Sequence, residues 1–169
     1  MIEYRDATVD DAPAIAGLFE RSFVDTFGPL YRPEDLAAFL GRFSLAAWRR
    51  ELDDPNLRFR LALSDGIPAG FAKVGPVGLP VDPAGPAAEL RQLYLTSAFH
   101  GLGIAQALMD WVLGEARARG AGELFLSVWT GNARAKAFYR RYGFTYVKPY
   151  AFMVGEQADE DEIWRLALA

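Results

Sequence analysis

Residues 89–144 read as a strand, a glycine turn, an amphipathic helix, a second strand and a second helix, with almost nothing between them. No other stretch constrains the fold as tightly. Glu89-Leu90-Arg91-Gln92-Leu93-Tyr94-Leu95 alternates loosely between polar and apolar residues and suits a pleated surface. In the turn His100-Gly101-Leu102-Gly103-Ile104-Ala105, two glycines let the backbone bend sharply and bare its N–H groups before a helix begins. That helix carries Ile104, Ala107, Leu108, Trp111 and Val112 at the spacing of one buried stripe and ends at Gly120. Unpaired N–H groups and the positive end of the dipole at its start favour a phosphate or pyrophosphate. Residues 123–129 form the next strand, and Asn132 stands at the N-cap of a helix that buries Ala135, Phe138, Tyr139 and Tyr142 and stops at Gly143. Arg134, Lys136, Arg140 and Arg141 make that helix basic.

These residues resemble the GCN5-related N-acetyltransferase (GNAT) superfamily. Its acetyl-CoA motif, Gln/Arg-x-x-Gly-x-Gly/Ala, is matched by His100-Gly101-Leu102-Gly103-Ile104-Ala105, with His100 in place of the usual Gln or Arg. Its second motif, Asn-x-x-Ala-x-x-Phe-Tyr-x-x-x-Gly-Phe, is matched from Asn132 to Phe144. The His-Gly-Leu-Gly turn, the strand end Val128-Trp129 and the tail Phe152-Met153-Val154-Gly155 with acidic residues after it are similar to the bacterial polyamine N-acetyltransferase branch, the PaiA type. The resemblance implies a mixed α/β fold. Its twisted, mostly antiparallel sheet has about seven strands, helices on both faces and a V-shaped splay between the central strands, where pantetheine lies like an added strand.

The resemblance also implies roles. Acetyl-CoA is the cofactor and the reaction is direct transfer in a ternary complex to a primary amine of a small molecule such as a polyamine, the alternatives being a protein N-terminus or lysine side chain, an aminoglycoside or an amino-acid antibiotic. Glu89 takes the position of the general base, the backbone around Leu93, Tyr94 and Leu95 that of the oxyanion donor, and Tyr139 that of the acid protonating the departing thiolate. The turn residues 100–105, Asn132, Arg134 and Arg141 fall on the cofactor side. Asp25, Tyr31, Glu34 and Asp35, in the loop and helix that wall the acceptor pocket in the superfamily, are candidates for an ammonium group, with Glu89. As caps and solvated first-turn charges they would need no ligand. A homodimer is common in the superfamily.

The rest of the chain fits one domain of 169 residues, half of them hydrophobic. Residues 2–5 read as a short strand, and a helix follows Asp10-Asp11 with Ile15, Leu18, Phe19 and Ser22 on one face. Pro33 opens a second helix and Ser44 caps a third. Residues 57–63 and 68–74 flank the hairpin signal Ser64-Asp65-Gly66, and residues 76–88 form a proline- and glycine-rich loop. Closing strands lie around Tyr146, residues 152–154 and residues 163–168, with residues 156–162 as a charged connection that reads either as a solvated hairpin tip or as an acidic run able to attract a polyamine.

Composition narrows the chemistry. With no cysteine and one histidine, neither a thiol nucleophile nor a Cys- or His-cluster metal site is available, so no metal is called for. A net charge of -4 disfavours broad nucleic-acid binding and mildly favours cationic small molecules. No apolar run is long enough for a bilayer and no export signal is seen, so a cytoplasmic protein is expected. Gln106 and Trp129 stand where a dinucleotide fold needs a small residue and an acid, and no Gly-x-Ser-x-Gly elbow exists. A non-catalytic acyl-CoA sensor would keep the turn but has no need of Glu89 and Tyr139.

Overall fold

The structure is a computed structural model that describes residues 1–168. Strand β1 (Ile2–Asp6) enters helix α1 (Ala12–Phe27) through a turn in which Asp11 accepts the N–H of Thr8 at 2.8 Å and both ends of the Arg5 guanidinium at 2.8 Å. This satisfies orphan donors at the helix entry and fastens it to the strand. Helix α2 (Pro33–Leu40) starts on its proline, and α3 (Leu45–Leu52) on Ser44, whose hydroxyl oxygen accepts the Ala47 N–H at 3.1 Å. Strands β2 (Arg58–Ser64) and β3 (Ile67–Gly75) are joined by Asp65 and Gly66, with φ of 48° and 82°. The loop is therefore shorter than the sequence suggests, because Ile67 and Pro68 already pair with Ser64 and Leu63. Two left-handed residues give a turn whose twist matches the strands.

Next come β4 (Ala87–Leu95), α4 (Ile104–Ala118), β5 (Glu123–Trp129), α5 (Ala133–Tyr142), β6 (Thr145–Val154) and β7 (Gln157–Ala167). They complete a seven-stranded sheet in the order β1-β2-β3-β4-β5-β7-β6, antiparallel except for β4 and β5. Those two pair only at Ala87↔Glu123, Ala88↔Leu124 and Glu89↔Phe125, after which they part. On its other side β4 carries a bulge: Leu90 faces Val74 and Gln92 faces Lys73, so Arg91 has no partner. A bulge bends and twists its strand, here at the point where the sheet opens. The mixed α/β architecture with a central splay is thus the one the sequence implies.

Both faces of the sheet are covered. Helices α1 to α3 pack Ile15, Leu18, Phe19, Phe39 and Trp48 against Phe59, Leu61 and Phe71, and Phe19 meets Tyr94 edge-on at 5.1 Å. On the opposite face Ile104, Leu108, Met109 and Val112 of α4 cover Val74, Leu90, Leu124 and Leu126. Truncating any of the larger fully buried side chains to alanine costs about 3–5 kcal/mol. Among the described residues no helix is long and apolar enough to cross a membrane.

One sequence expectation is corrected. Residues 156–162 are not a solvated connection: β7 begins at Gln157, and the turn is only Gly155 and Glu156. Asp161 and Glu162 pair with β5 on one side and β6 on the other, while residues 157–160 pair with β6 alone. Strong local charge conceals a strand that pairs with β6 across a tight hairpin and, from Asp161 on, with β5 as well. The turn is latched to α2. Asp35, 4% exposed, accepts the Glu156 N–H at 3.1 Å and the Arg32 Nε–H at 2.8 Å, and the hydrogen bond from Arg32 holds its carboxyl below the usual range. Gly155, at φ +61°, leaves no room for a side chain: a Cβ there would lie 2.5 Å from Asp35 Oδ1. Gly155→Ala is expected to destabilise the protein by about 2 kcal/mol or more, read as a lower denaturant midpoint.

Candidate active site

Where β4 leaves β5, a cleft of about 630 Å³ runs from the start of α4 to the inner side of α1. Its first wall is the turn before α4. Gly101 and Gly103 adopt φ of +81° and +79°, a region where a side chain is strained, and Gly103 is the N-cap. The first helical N–H with a backbone acceptor is that of Ala107, on Gly103 O at 3.1 Å. The N–H groups of Ile104, Ala105 and Gln106 are left to the cleft, at the positive end of the α4 dipole. This is a seat for an anion. Leu102 lies at the tip of the turn, 61% exposed and outside the lining.

Helix α5 forms the second wall. Asn132 Oδ1 accepts the Ala135 N–H at 3.1 Å, and Gly143 ends the helix at φ +97°. Tyr142 donates to Asp110 Oδ1 at 3.1 Å, which ties α5 to α4. Arg134 Nη1 donates to His100 Nδ1 at 2.7 Å, so the ring proton of His100 sits on Nε2 while that bond is made. Histidine in place of Gln or Arg therefore draws an arginine from α5 to the rim of the anion seat. Arg141 lies over the Phe138 ring, 5.9 Å from its centroid, and also lines the cleft.

A narrower arm of about 130 Å³ enters the gap between the parted strands, lined by residues 90–94 and 126–129 with Asn132, Ala135 and Tyr139. Tyr139 borders both spaces. It is 9% exposed, its hydroxyl has no hydrogen-bond partner among the described residues, and burial pushes its pKa up to about 12. A neutral phenol held so is a proton donor at ordinary pH. Tyr94 borders both spaces too, and burial, then the charges of Tyr139 and Asp161, push its hydroxyl up. The Ser22 hydroxyl on α1 and Gln92 Oε1 on β4 are buried without partners, one beside the cleft and one beside the arm. The sequence offers no signal for Ser22 beyond its place on the core face of α1.

Other sequence candidates lie elsewhere. Glu89 is half-buried at the closed end of the splay, outside the lining of either space, with Oε1 accepting the Gly78 N–H at 2.8 Å. Burial pushes its carboxyl up, against the hydrogen bond from Gly78 and the charge of Arg91. Asp25 is exposed on α1 and does not line the cleft that its neighbours Ser22 and Thr26 reach. Glu34 is exposed and makes a surface ion pair with Arg32 at 3.8 Å, while both Asp35 oxygens serve the latch. Tyr31 is half-buried and its hydroxyl donates to Asp159, an acid of β7.

Comparison with known proteins gives this geometry a family. The model of the acetyltransferase (GNAT) family matches residues 16–144. An uncharacterised N-acetyltransferase from the pepI 3′ region of Lactobacillus delbrueckii subsp. lactis is 30% identical over 162 residues, 94% of this chain and 92% of that protein. One from Mycobacterium tuberculosis is 32% identical over 154 residues, 90% and 95% of the two chains. The crystal structure of a PaiA N-acetyltransferase from Thermoplasma acidophilum, in complex with coenzyme A, has the same fold: TM-score 0.79 at 20% identity, covering 99% of each chain. The chain belongs to the acetyltransferase (GNAT) family and is an N-acetyltransferase.

Proposed function

We propose that residues 1–169 form one acetyltransferase domain that moves the acetyl group of acetyl-CoA to a primary amine of a small molecule, a polyamine being the acceptor class. The observation that carries this reading is a single cleft. It joins the unpaired amides at the start of α4, the opened edge of β4 and the free hydroxyl of Tyr139. These residues fit coenzyme A: the N–H groups of Ile104, Ala105 and Gln106 suit a diphosphate, Arg134 and Arg141 stand at the rim for further phosphate charge, and β4 offers backbone groups to an extended arm. The polyamine assignment rests on the likeness of the turn and tail to the PaiA branch and on the solved PaiA fold.

Acetyl-CoA supplies an activated acetyl thioester; the chain supplies position and protons. A primary amine with a pKa of about 10.4 arrives protonated and must lose a proton to attack. Glu89, its carboxyl raised by burial, receives that proton, through water where the acceptor is not in contact. Of the backbone N–H groups of residues 93–95, those of Leu93 and Leu95, which alternate away from β3, polarise the carbonyl, freed for this by the parting of β4 from β5. Tyr139, neutral below about 12, donates to the departing sulfur.

The direct test follows release of CoA with spermidine, spermine, aminoglycosides and short peptides as acceptors. Saturable turnover on polyamines is expected, whereas activity on peptides alone would reject the polyamine assignment. Tyr139→Phe is expected to lower kcat by about 10²-fold, with the Kd for acetyl-CoA changed less than about twofold; unchanged turnover removes Tyr139 from the chemistry. Glu89 acts as a base only when ionised, so wild-type kcat falls as pH drops through its raised pKa. Glu89→Gln should abolish that acid limb, leaving a deficit that is greatest at higher pH; a limb that persists assigns it to another group.

A further inference from the structure

The acidic strand β7 points one edge of its charge inward. Alternation sets Gln157, Asp159, Asp161 and Ile163 on one face and Glu160 and Glu162 on the other. On the second face Glu160 is exposed to solvent and Glu162 is neutralised, accepting from Lys136 Nζ at 2.9 Å and from Trp164 Nε1 at 3.1 Å. The first is not. Asp159 takes only the hydroxyl of Tyr31 and an amide N–H of Gln157 at 3.2 Å. Asp161 is 8% exposed, accepts no hydrogen bond and pairs with no cation among the described residues.

A buried carboxylate without a partner is costly, and a purely structural acid has its partner built in. Nearby cations are already engaged, Lys136 with Glu162 and Arg32 with Asp35. The groups around Asp161 are Asp159 and Glu162 on its own strand, Tyr31 from the segment after α1, Tyr94 on β4, and Tyr150, its ladder partner on β6. None of these carries a positive charge; the one cation on the same face of β6 is Lys148, opposite Ile163, which is exposed and makes no ion pair with Asp161. Asp161 itself lines neither space and borders them only through its neighbours: Tyr94, which lines both, and its ladder partner on β5, Trp129, which lines the narrow arm and meets Phe27 of the main cleft edge-on at 6.0 Å.

We propose that Asp161, with Asp159 beside it, is the seat for the positive charge of the acceptor, in front of Tyr94, and that it selects small amines bearing more than one ammonium. This rests on the acetyl-transfer reading above and adds the residues that choose its substrate. An ammonium brings the hydrogen-bond donors and the charge that Asp161 lacks, and a second charge along the same molecule meets Asp159. Burial, then the charges of Asp159 and Glu162, push the Asp161 carboxyl up to about 7 in the free protein, so the seat is charged only above that pH. Because its folded pKa is raised, the native state holds this proton more tightly than the unfolded chain. Stability from that proton is present at low pH and lost as pH rises through about 7.

The test compares wild type with Asp161→Asn, using spermidine and acetyl-CoA across pH 5.5 to 8.5. In the wild type, KM for spermidine should rise as pH falls below about 7, approaching tenfold per unit, with kcat changing less because the bound ammonium keeps the acid ionised. In Asp161→Asn, KM for spermidine should be at least about tenfold higher at pH 8 and flat with pH, with the Kd for acetyl-CoA unchanged. The variant should also melt a few degrees higher than wild type at pH 8, since an uncompensated buried charge is gone. A variant with wild-type KM and pH dependence overturns the proposal, and so does one that fails to fold. Absence of CoA release by the wild type with every amine defeats the acetyl-transfer reading itself. Efficient wild-type turnover of peptides with polyamines excluded leaves that transfer intact and defeats the seat.

Discussion

The separation of β4 from β5 after the pair Glu89↔Phe125 governs the rest of the molecule. A sheet normally keeps every ladder bond it can form, because an unpaired backbone group away from water is costly. Here the pairing lasts for three positions and then stops, while β5 continues on its far side with β7 up to Trp129↔Asp161. The bulge at Arg91 and the crossover through α4 hold the strands apart, and the hydrophobic clusters on the two faces keep the opening from collapsing. The gap therefore offers backbone donors to a carbonyl placed between the strands, where they are fixed in advance and polarise it without reorganising.

Two environments of opposite charge lie on either side of Tyr94 and Tyr139. Toward α4 and α5 the cleft is built of free amides, a helix dipole and two arginines at the rim. On the face of α1 and α2 the neighbouring charges belong to Asp159 and Asp161. Tyr94 and Tyr139 stand between, both kept neutral by burial. On the acceptor seat proposed above, a polyanionic donor and a cationic acceptor would approach the gap from opposite sides. The latch between Asp35 and the β6–β7 turn keeps the acidic strand in register with the helices opposite it.

Much of this is legible in the sequence where one residue does one local job. Asn132 and Gly143 mark the ends of α5 because a side-chain cap and a left-handed turn are local demands. Gly101 and Gly103 locate the anion seat for the same reason. Tyr139 is legible from the motif and from its place on the inner face of the helix. What depends on tertiary pairing is hidden. Residues 157–162 look like a solvated tip because their charge is visible, while their hairpin with β6 and the pairing of Asp161 and Glu162 with β5 are not. Asp25 and Glu34 look like acceptor ligands, yet helical phase leaves both exposed, and Asp35 is consumed by a contact with residue 156. The tie from His100 to Arg134 crosses from one motif to the other, and no spacing rule reports it.

Central to the whole is the claim that the start of α4 and the free edge of β4 grip one molecule at once. A titration of the isotope-labelled protein with coenzyme A, followed through backbone amide resonances, tests this most directly. The amides of residues 102–106 and 91–95 should shift together and saturate at one concentration. Shifts confined to either segment alone, or lying outside both, would contradict it.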